Sequence, residues 1–106
     1  MALKYIINDG KLIMGNCEYH AELHGKNLDK KKTIGGGRYY FKEELYGKVV
    51  FFYGKSDEFG VVTKEQFEAA LKNSYLGARM KNHEKIFTNG ELGDAIKVWE
   101  EKKIKP

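Results

Sequence analysis

Three short stretches of the chain hold side chains whose types and spacing could do chemistry. Cys17-Glu-Tyr-His-Ala-Glu-Leu-His24 sets two imidazoles among two carboxylates. An imidazole with an ordinary pKa of about 6.5 can take a proton from water near neutral pH. In Gly35-Gly-Gly-Arg38 the missing side chains let a ligand or another strand approach the backbone, and the guanidinium that follows is a planar fork for an anion. In Gly54-Lys-Ser-Asp-Glu-Phe-Gly60, Lys55 and Ser56 offer a cation, a hydroxyl and neighbouring backbone N–H groups that could converge on an anion. The competing reading of this last stretch is a tight polar turn, and Asp57 and Glu58 bring negative charge into it.

Spacing narrows the first stretch. Cys17, Tyr19, Ala21 and Leu23 alternate with Glu18, His20, Glu22 and His24, which predicts a half-buried strand with a titratable outer face. On an extended strand Cys17 and His20 point to opposite faces, so they do not form a thiol–imidazole pair. A metal held by His20, His24 and a carboxylate lacks an evident third ligand, and a solvated strand surface is the simpler account. Cys17 is the only cysteine, which excludes an internal disulfide and a cysteine-based zinc site. On the apolar face of its strand it is expected to be an inert buried thiol.

These residues need a scaffold, and the pattern supplies one. Val49 to Tyr53 is an unbroken β-branched and aromatic run, too short for a buried helix, and reads as a central strand covered on both faces. Leu3 to Ile7 and Leu12 to Met14 flank Asp9-Gly10, the signature of a two-residue hairpin. Asn27 to Lys32 reads as a basic solvated hairpin end. Thr33 to Phe41 is a glycine-weakened strand, whose glycines either admit a ligand or form a bulge under an aromatic from the next strand. A turn over Lys42 to Gly47 then completes an antiparallel meander.

The second half is helical. Thr63-Lys-Glu-Gln66 is a capping box, followed by Phe67, Ala70, Leu71 and Tyr75 at helical spacing, with Gly77 as the stop. A connection through Arg79 and Ile86-Phe87 leads to a further helix at about 91–103, striped by Leu92, Ala95, Ile96 and Trp99. Met80, Phe87 and Trp99 read as packing residues. The pattern therefore predicts an α+β fold, a mostly antiparallel sheet of about five strands with two helices packed on it, in a single domain over 1–106.

The 106 residues suffice for one modest core. No stretch approaches a bilayer span and the N-terminus does not read as a secretion signal, so a cytoplasmic location without a membrane partner is expected. The net charge of +4 favours anionic partners. Nucleic acid ranks last among them, because the lysines divide between a turn and the tail, and Tyr39, Tyr40 and Phe41 sit where a sheet needs packing.

Taken in order, Glu18-Tyr-His-Ala-Glu-Leu23, Gly35-Gly-Gly-Arg38 and Tyr53-Gly-Lys-Ser-Asp-Glu-Phe-Gly60 resemble the 14 kDa phosphohistidine phosphatase (janus/ocnus) family. Its members carry a Glu-Tyr-His-Ala-Asp segment, a Gly-Gly-Gly-Arg strand and a Tyr-Gly-x-Ser-x-x-Tyr-Gly loop. Leu3-Lys-Tyr-Ile-Ile7 is similar to that family's first strand. The resemblance implies an α/β sandwich around a mixed sheet, and a metal-independent phosphatase acting on phosphohistidine, phospholysine or a related phosphoryl compound, with no cofactor. It assigns His20 as the catalytic base or nucleophile, Ser56 and the backbone N–H of Glu58 as phosphate holders, and Lys4 as a phosphate-side cation. Lys55 and Arg38 complete the expected phosphate-binding set. Leu12 stands where the family has an arginine, and the family's helix between the histidine and the glycines is replaced here by a turn. The expected partner is a phosphorylated protein or small phosphorylated ligand. The alternative is a non-catalytic module that binds a phosphorylated metabolite, nucleotide or partner on the same fold.

Overall fold

The computed structural model describes residues 2–44, 47–74 and 78–104. Strand β1 (Ala2–Asn8) turns into β2 (Lys11–Cys17), and 3-10 turns at His20–His24 and Lys30–Lys32 lead to β3 (Thr33–Glu44) and β4 (Gly47–Tyr53). Helix α1 (Lys64–Lys72), the single turn α2 (Ala78–Lys81), β5 (Glu84–Phe87) and α3 (Leu92–Ile104) follow. The five strands form one mixed sheet in the order β2-β1-β3-β4-β5. All pairings are antiparallel except β4 with β5. The α+β architecture expected from the pattern is the observed one.

The first hairpin forms as its turn residues dictate. Asp9 and Gly10 both have positive φ, 51° and 74°, the geometry that matches a two-residue turn to strand twist. The meander does not form: β3 pairs with β1 and not with β2. Tyr5, Ile6 and Ile7 are buried on both faces of β1, which therefore needs neighbours on both sides, whereas β2 is largely half-exposed and suits an edge. The basic segment before β3 is accordingly a crossing between strands that are not neighbours. Asp29 caps its 3-10 turn by accepting from Lys31 N–H at 3.0 Å.

Each face of the sheet has its own cover. Tyr5, Ile7, Tyr39, Val50 and Phe52 point to the side covered by Val62 and by Phe67 and Ala70 of α1. Val49, Phe51 and Ile86 point to the other side, under Ala95 and Trp99 of α3. Val49 to Phe52 are thus fully buried, as the apolar run requires. The capping box of α1 is in place, with Gln66 N–H donating to Thr63 Oγ1 at 3.1 Å and Thr63 N–H to Gln66 Oε1 at 3.0 Å. The helix ends at Lys72 with Asn73 as its cap, ahead of Gly77, which with Tyr75 lies outside the described residues.

Two further elements differ from expectation. Ile86-Phe87 belongs to strand β5, parallel to β4, and α1 lies in the connection that parallel pairing requires. The extended strand expected to run to His24 ends at Cys17. Beyond it the Glu22 carboxylate accepts the N–H groups of Glu18 and Tyr19, at 2.8 and 2.7 Å, and this local capping winds His20–His24 into a 3-10 turn. The apparent alternation of apolar and titratable residues is a coincidence of a short turn. Tyr19, expected on the inner face, is 63% exposed. No helix among the described residues is long and apolar enough to cross a membrane.

Candidate functional site

The glycines of β3 build the site. A Cβ on Gly36 would meet the Tyr5 carbonyl of β1 and come within 3.1 Å of the His20 ring. One on Gly37 would meet the Tyr53 carbonyl and come within 2.8 Å of the Tyr5 ring. Only bare backbone lets His20 lie against one face of the sheet and Tyr5 against the other. The register shift between β1 and β3 falls at Ile7 and Asn8, so the glycines themselves lie in regular pairing.

His20 is buried, and its Nε2 stands 2.8 Å from the Gly37 carbonyl oxygen. A carbonyl only accepts, so Nε2–H is the donor and Nδ1 carries the lone pair of the neutral ring. Burial lowers the pKa of His20 from its ordinary value; the Gly37 hydrogen bond works against that, Lys4 and Arg38 add to the lowering, and Asp57 opposes it. The result is a neutral imidazole at neutral pH with a defined tautomer.

Around it lies a recess of about 120 Å³ lined by Lys4, Tyr19, His20, Arg38, Lys55, Asp57 and Glu58. Lys4 and Arg38 are direct cross-strand partners, which puts both side chains on one face of the sheet. The Lys4 ammonium donates to the Glu18 carbonyl, tying β1 to the segment that carries His20. Lys55, Asp57 and Glu58 come from the loop after β4. That loop is closed by paired Ser56 and Gly60, whose backbones exchange bonds of 3.1 and 2.8 Å, and it docks on β3 through Gly36 N–H to Gly60 O at 3.2 Å.

Five of the six expected site residues therefore share one recess: His20, Lys4, Arg38, Lys55 and Glu58. Ser56 is placed otherwise. It is 1% exposed and its Oγ accepts from Phe59 N–H at 3.0 Å, so its hydroxyl braces the loop from within. The N–H groups of Asp57 and Glu58 make no backbone or side-chain hydrogen bond among the described residues and remain available as donors. Tyr19 is the lining residue that strand alternation hid. The signal that could have found it is Glu22 three residues after Tyr19, the acidic N3 position of a capped turn.

His24 is not part of this group. Its Nδ1–H donates to Ala21 O at 3.0 Å, and its Nε2 accepts from the Thr33 hydroxyl at 2.6 Å, which in turn accepts from Asn8 at 2.9 Å. Both nitrogens serve the fold, and neither is left for a metal. Cys17 is buried, and burial followed by the Glu22 carboxylate raises its thiol pKa, with Lys4 opposing, so it is no ready thiolate. Among the aromatics weighed for nucleic-acid stacking, Tyr39 is in the core and Tyr40 stacks on Phe51 with ring centroids 6.4 Å apart. Comparison with protein-family models, with curated proteins and with solved structures yields no match.

Proposed function

We propose that the protein is a phosphoryl hydrolase acting on a phosphoramidate such as phosphohistidine or phospholysine, with His20 at the centre of the site. The observation that carries this reading is a neutral, buried imidazole of fixed tautomer in a recess with three cationic side chains, Lys4, Arg38 and Lys55. Phosphoryl transfer asks for little covalent chemistry: a base or nucleophile, a positioned phosphorus, and positive charge or donors on the equatorial oxygens. Arg38, Lys55 and the free N–H groups of Asp57 and Glu58 supply the last, and Nδ1 of His20 supplies the first. At about 120 Å³ the recess is smaller than the roughly 300–1,000 Å³ that encloses a whole small-molecule ligand. It suits a phosphoryl group presented on a larger carrier, such as a side chain of a phosphorylated protein. The resemblance in the three motifs points the same way.

One observation favours a second reading, an anion-binding module without turnover. Asp57 and Glu58 share the recess with the cations, and Ser56 spends its hydroxyl inside the loop. Both features weaken the stabilisation of a developing phosphoryl charge more than they weaken simple binding.

The deciding experiment is hydrolysis of a phosphohistidine peptide at neutral pH with a chelator present, comparing wild type, His20→Ala and Arg38→Ala. General acid–base catalysis by one side chain is typically worth about 10²–10⁴-fold, so His20→Ala is expected to lose at least about 100-fold in kcat. Arg38→Ala is expected to act mainly through KM. A phosphorylated enzyme trapped on acid-free quenching would assign His20 as nucleophile, and its absence with turnover intact would assign it as base toward water. No turnover with saturable binding of the peptide supports the second reading, and neither turnover nor binding overturns both.

A further inference from the structure

The sheet ends in an open edge. β5 is the last strand of the order, and α1 and α3 cover opposite faces beside it. Thr88 N–H donates to Phe52 O at 2.9 Å, which fixes the phase of the strand. Backbone groups of successive residues alternate in direction, so Ile86 turns its N–H and C=O toward β4, and Lys85 and Phe87 turn theirs outward. Among the described residues no strand pairs with that outer side.

This edge lies in a groove of about 290 Å³ between the two helices. Leu71 of α1 and Phe87 form an apolar wall on one side, and Val98 of α3, 42% exposed, forms the other. The rim carries a net positive charge: Lys64, Lys85 and Lys102 stand with Glu68, and Lys102 is also 3.7 Å from the Glu84 carboxylate. A groove with unpaired backbone donors and acceptors, apolar walls on both faces and a positive rim has the chemistry that takes up an added strand of negative charge.

We propose that the β5 edge binds an extended acidic segment of a partner protein as a sixth strand. Its backbone would pair with the N–H and C=O groups of Lys85 and Phe87. Its side chains would alternate between the two faces, the apolar ones against Leu71 and Phe87 on the α1 side and the Asp or Glu side chains toward Lys102 on the α3 side, with Lys64 and Lys85 at the rim attracting its negative charge. A second copy of this chain is the poorer occupant, because β5 against β5 would oppose the same lysines. This inference is independent of the His20 recess.

The test uses the full chain and a labelled synthetic peptide of alternating valine and glutamate, read by fluorescence anisotropy and by amide chemical shifts. Saturable binding is expected, with the largest shifts at Lys85 and Phe87. Lys85→Glu and Lys102→Glu, both at the rim, are each expected to weaken it by about fivefold or more. A peptide with proline at its centre, which lacks a backbone donor, is expected to lose at least about tenfold against the unaltered protein. Equal binding of the proline peptide, equal binding of a valine–lysine peptide, shifts confined elsewhere, or no saturable binding at millimolar peptide would each overturn the proposal. So would a concentration-dependent dimer that seals this edge.

Discussion

Replacing Gly36 by alanine tests the central structural argument, that β3 needs bare backbone to seat His20. The new Cβ would collide with the Tyr5 carbonyl and stand 3.1 Å from His20 Cδ2 and 3.2 Å from Ile6 Cγ2. The imidazole can yield by a few tenths of an ångström. The carbonyl cannot, because β1 is held between β2 and β3 along its length. Overpacking of a rigid site costs typically 1–3 kcal/mol, and a backbone collision belongs at the upper end, about 3 kcal/mol. Against a total of roughly 5–15 kcal/mol that is a large share. At about 4–8 °C per kcal/mol for a domain of this size, the melting temperature should fall by about 12–24 °C.

Gly47→Ala is the matched control. Gly47 begins β4, and a Cβ there meets nothing within 4 Å. Its expected effect is within about 0.5 kcal/mol, the ordinary range for a surface substitution. Differential scanning calorimetry on the three proteins reads the outcome. A Gly36→Ala melting temperature within a few degrees of wild type would refute the reasoning, and so would equal losses in the two variants.

Removing the Thr63 cap by Thr63→Ala leaves Gln66 N–H without its acceptor and should cost about 1 kcal/mol in chemical denaturation, with an unchanged slope. Asp57→Asn removes negative charge from the recess and should tighten inorganic phosphate binding by up to about fivefold, as measured by calorimetric titration; weaker binding would contradict the placement of that carboxylate beside the cations. The pKa of His20 is lowered in the fold from the ordinary 6.5, so the folded chain binds fewer protons than the unfolded chain once the pH drops through that value. Its contribution to stability is therefore level above about 6.5 and is lost as the pH falls from there toward the folded-state pKa, so stability rises with pH across that window. His20→Gln should flatten this part of the profile, and identical acid slopes in the two proteins would refute the assignment.

Most of the scaffold is readable from local rules. Asp9-Gly10, the Val49–Tyr53 run, the Thr63 capping box and the Trp99 stripe each formed as their residue types require. What was not readable is non-local or competes with a stronger-looking pattern. The placement of β3 beside β1 follows from the burial of both faces of β1, which Ile6 and Ile7 announce only once a partner is known. β5 contributes a single fully buried residue, Ile86, in four, too little for a periodic signal. The apparent period of two over Cys17–His24 yielded to two hydrogen bonds accepted by the Glu22 carboxylate, a case of side-chain capping overriding alternation.

The recess and the core are consequences of the same three glycines. Gly37 exposes its carbonyl to His20 on one face while accommodating the Tyr5 ring on the other, and Gly36 makes room for the His20 ring and also donates its N–H to the Gly60 carbonyl that docks the loop. A change that disturbs the seating of Tyr5 in the core therefore moves the hydrogen-bond acceptor that fixes the His20 tautomer. This explains why the candidate site residues come from β1, the 3-10 turn, β3 and the β4 loop, distant in sequence, and still converge: His20 and the Gly60 end of the loop meet β3 at its glycines, and Lys4 pairs with Arg38 directly after them. It also separates two kinds of substitution. Changes at Arg38 or Lys55, on the rim, should alter ligand affinity with the fold intact, whereas changes at Gly36 or Gly37 should lower stability and His20 function together.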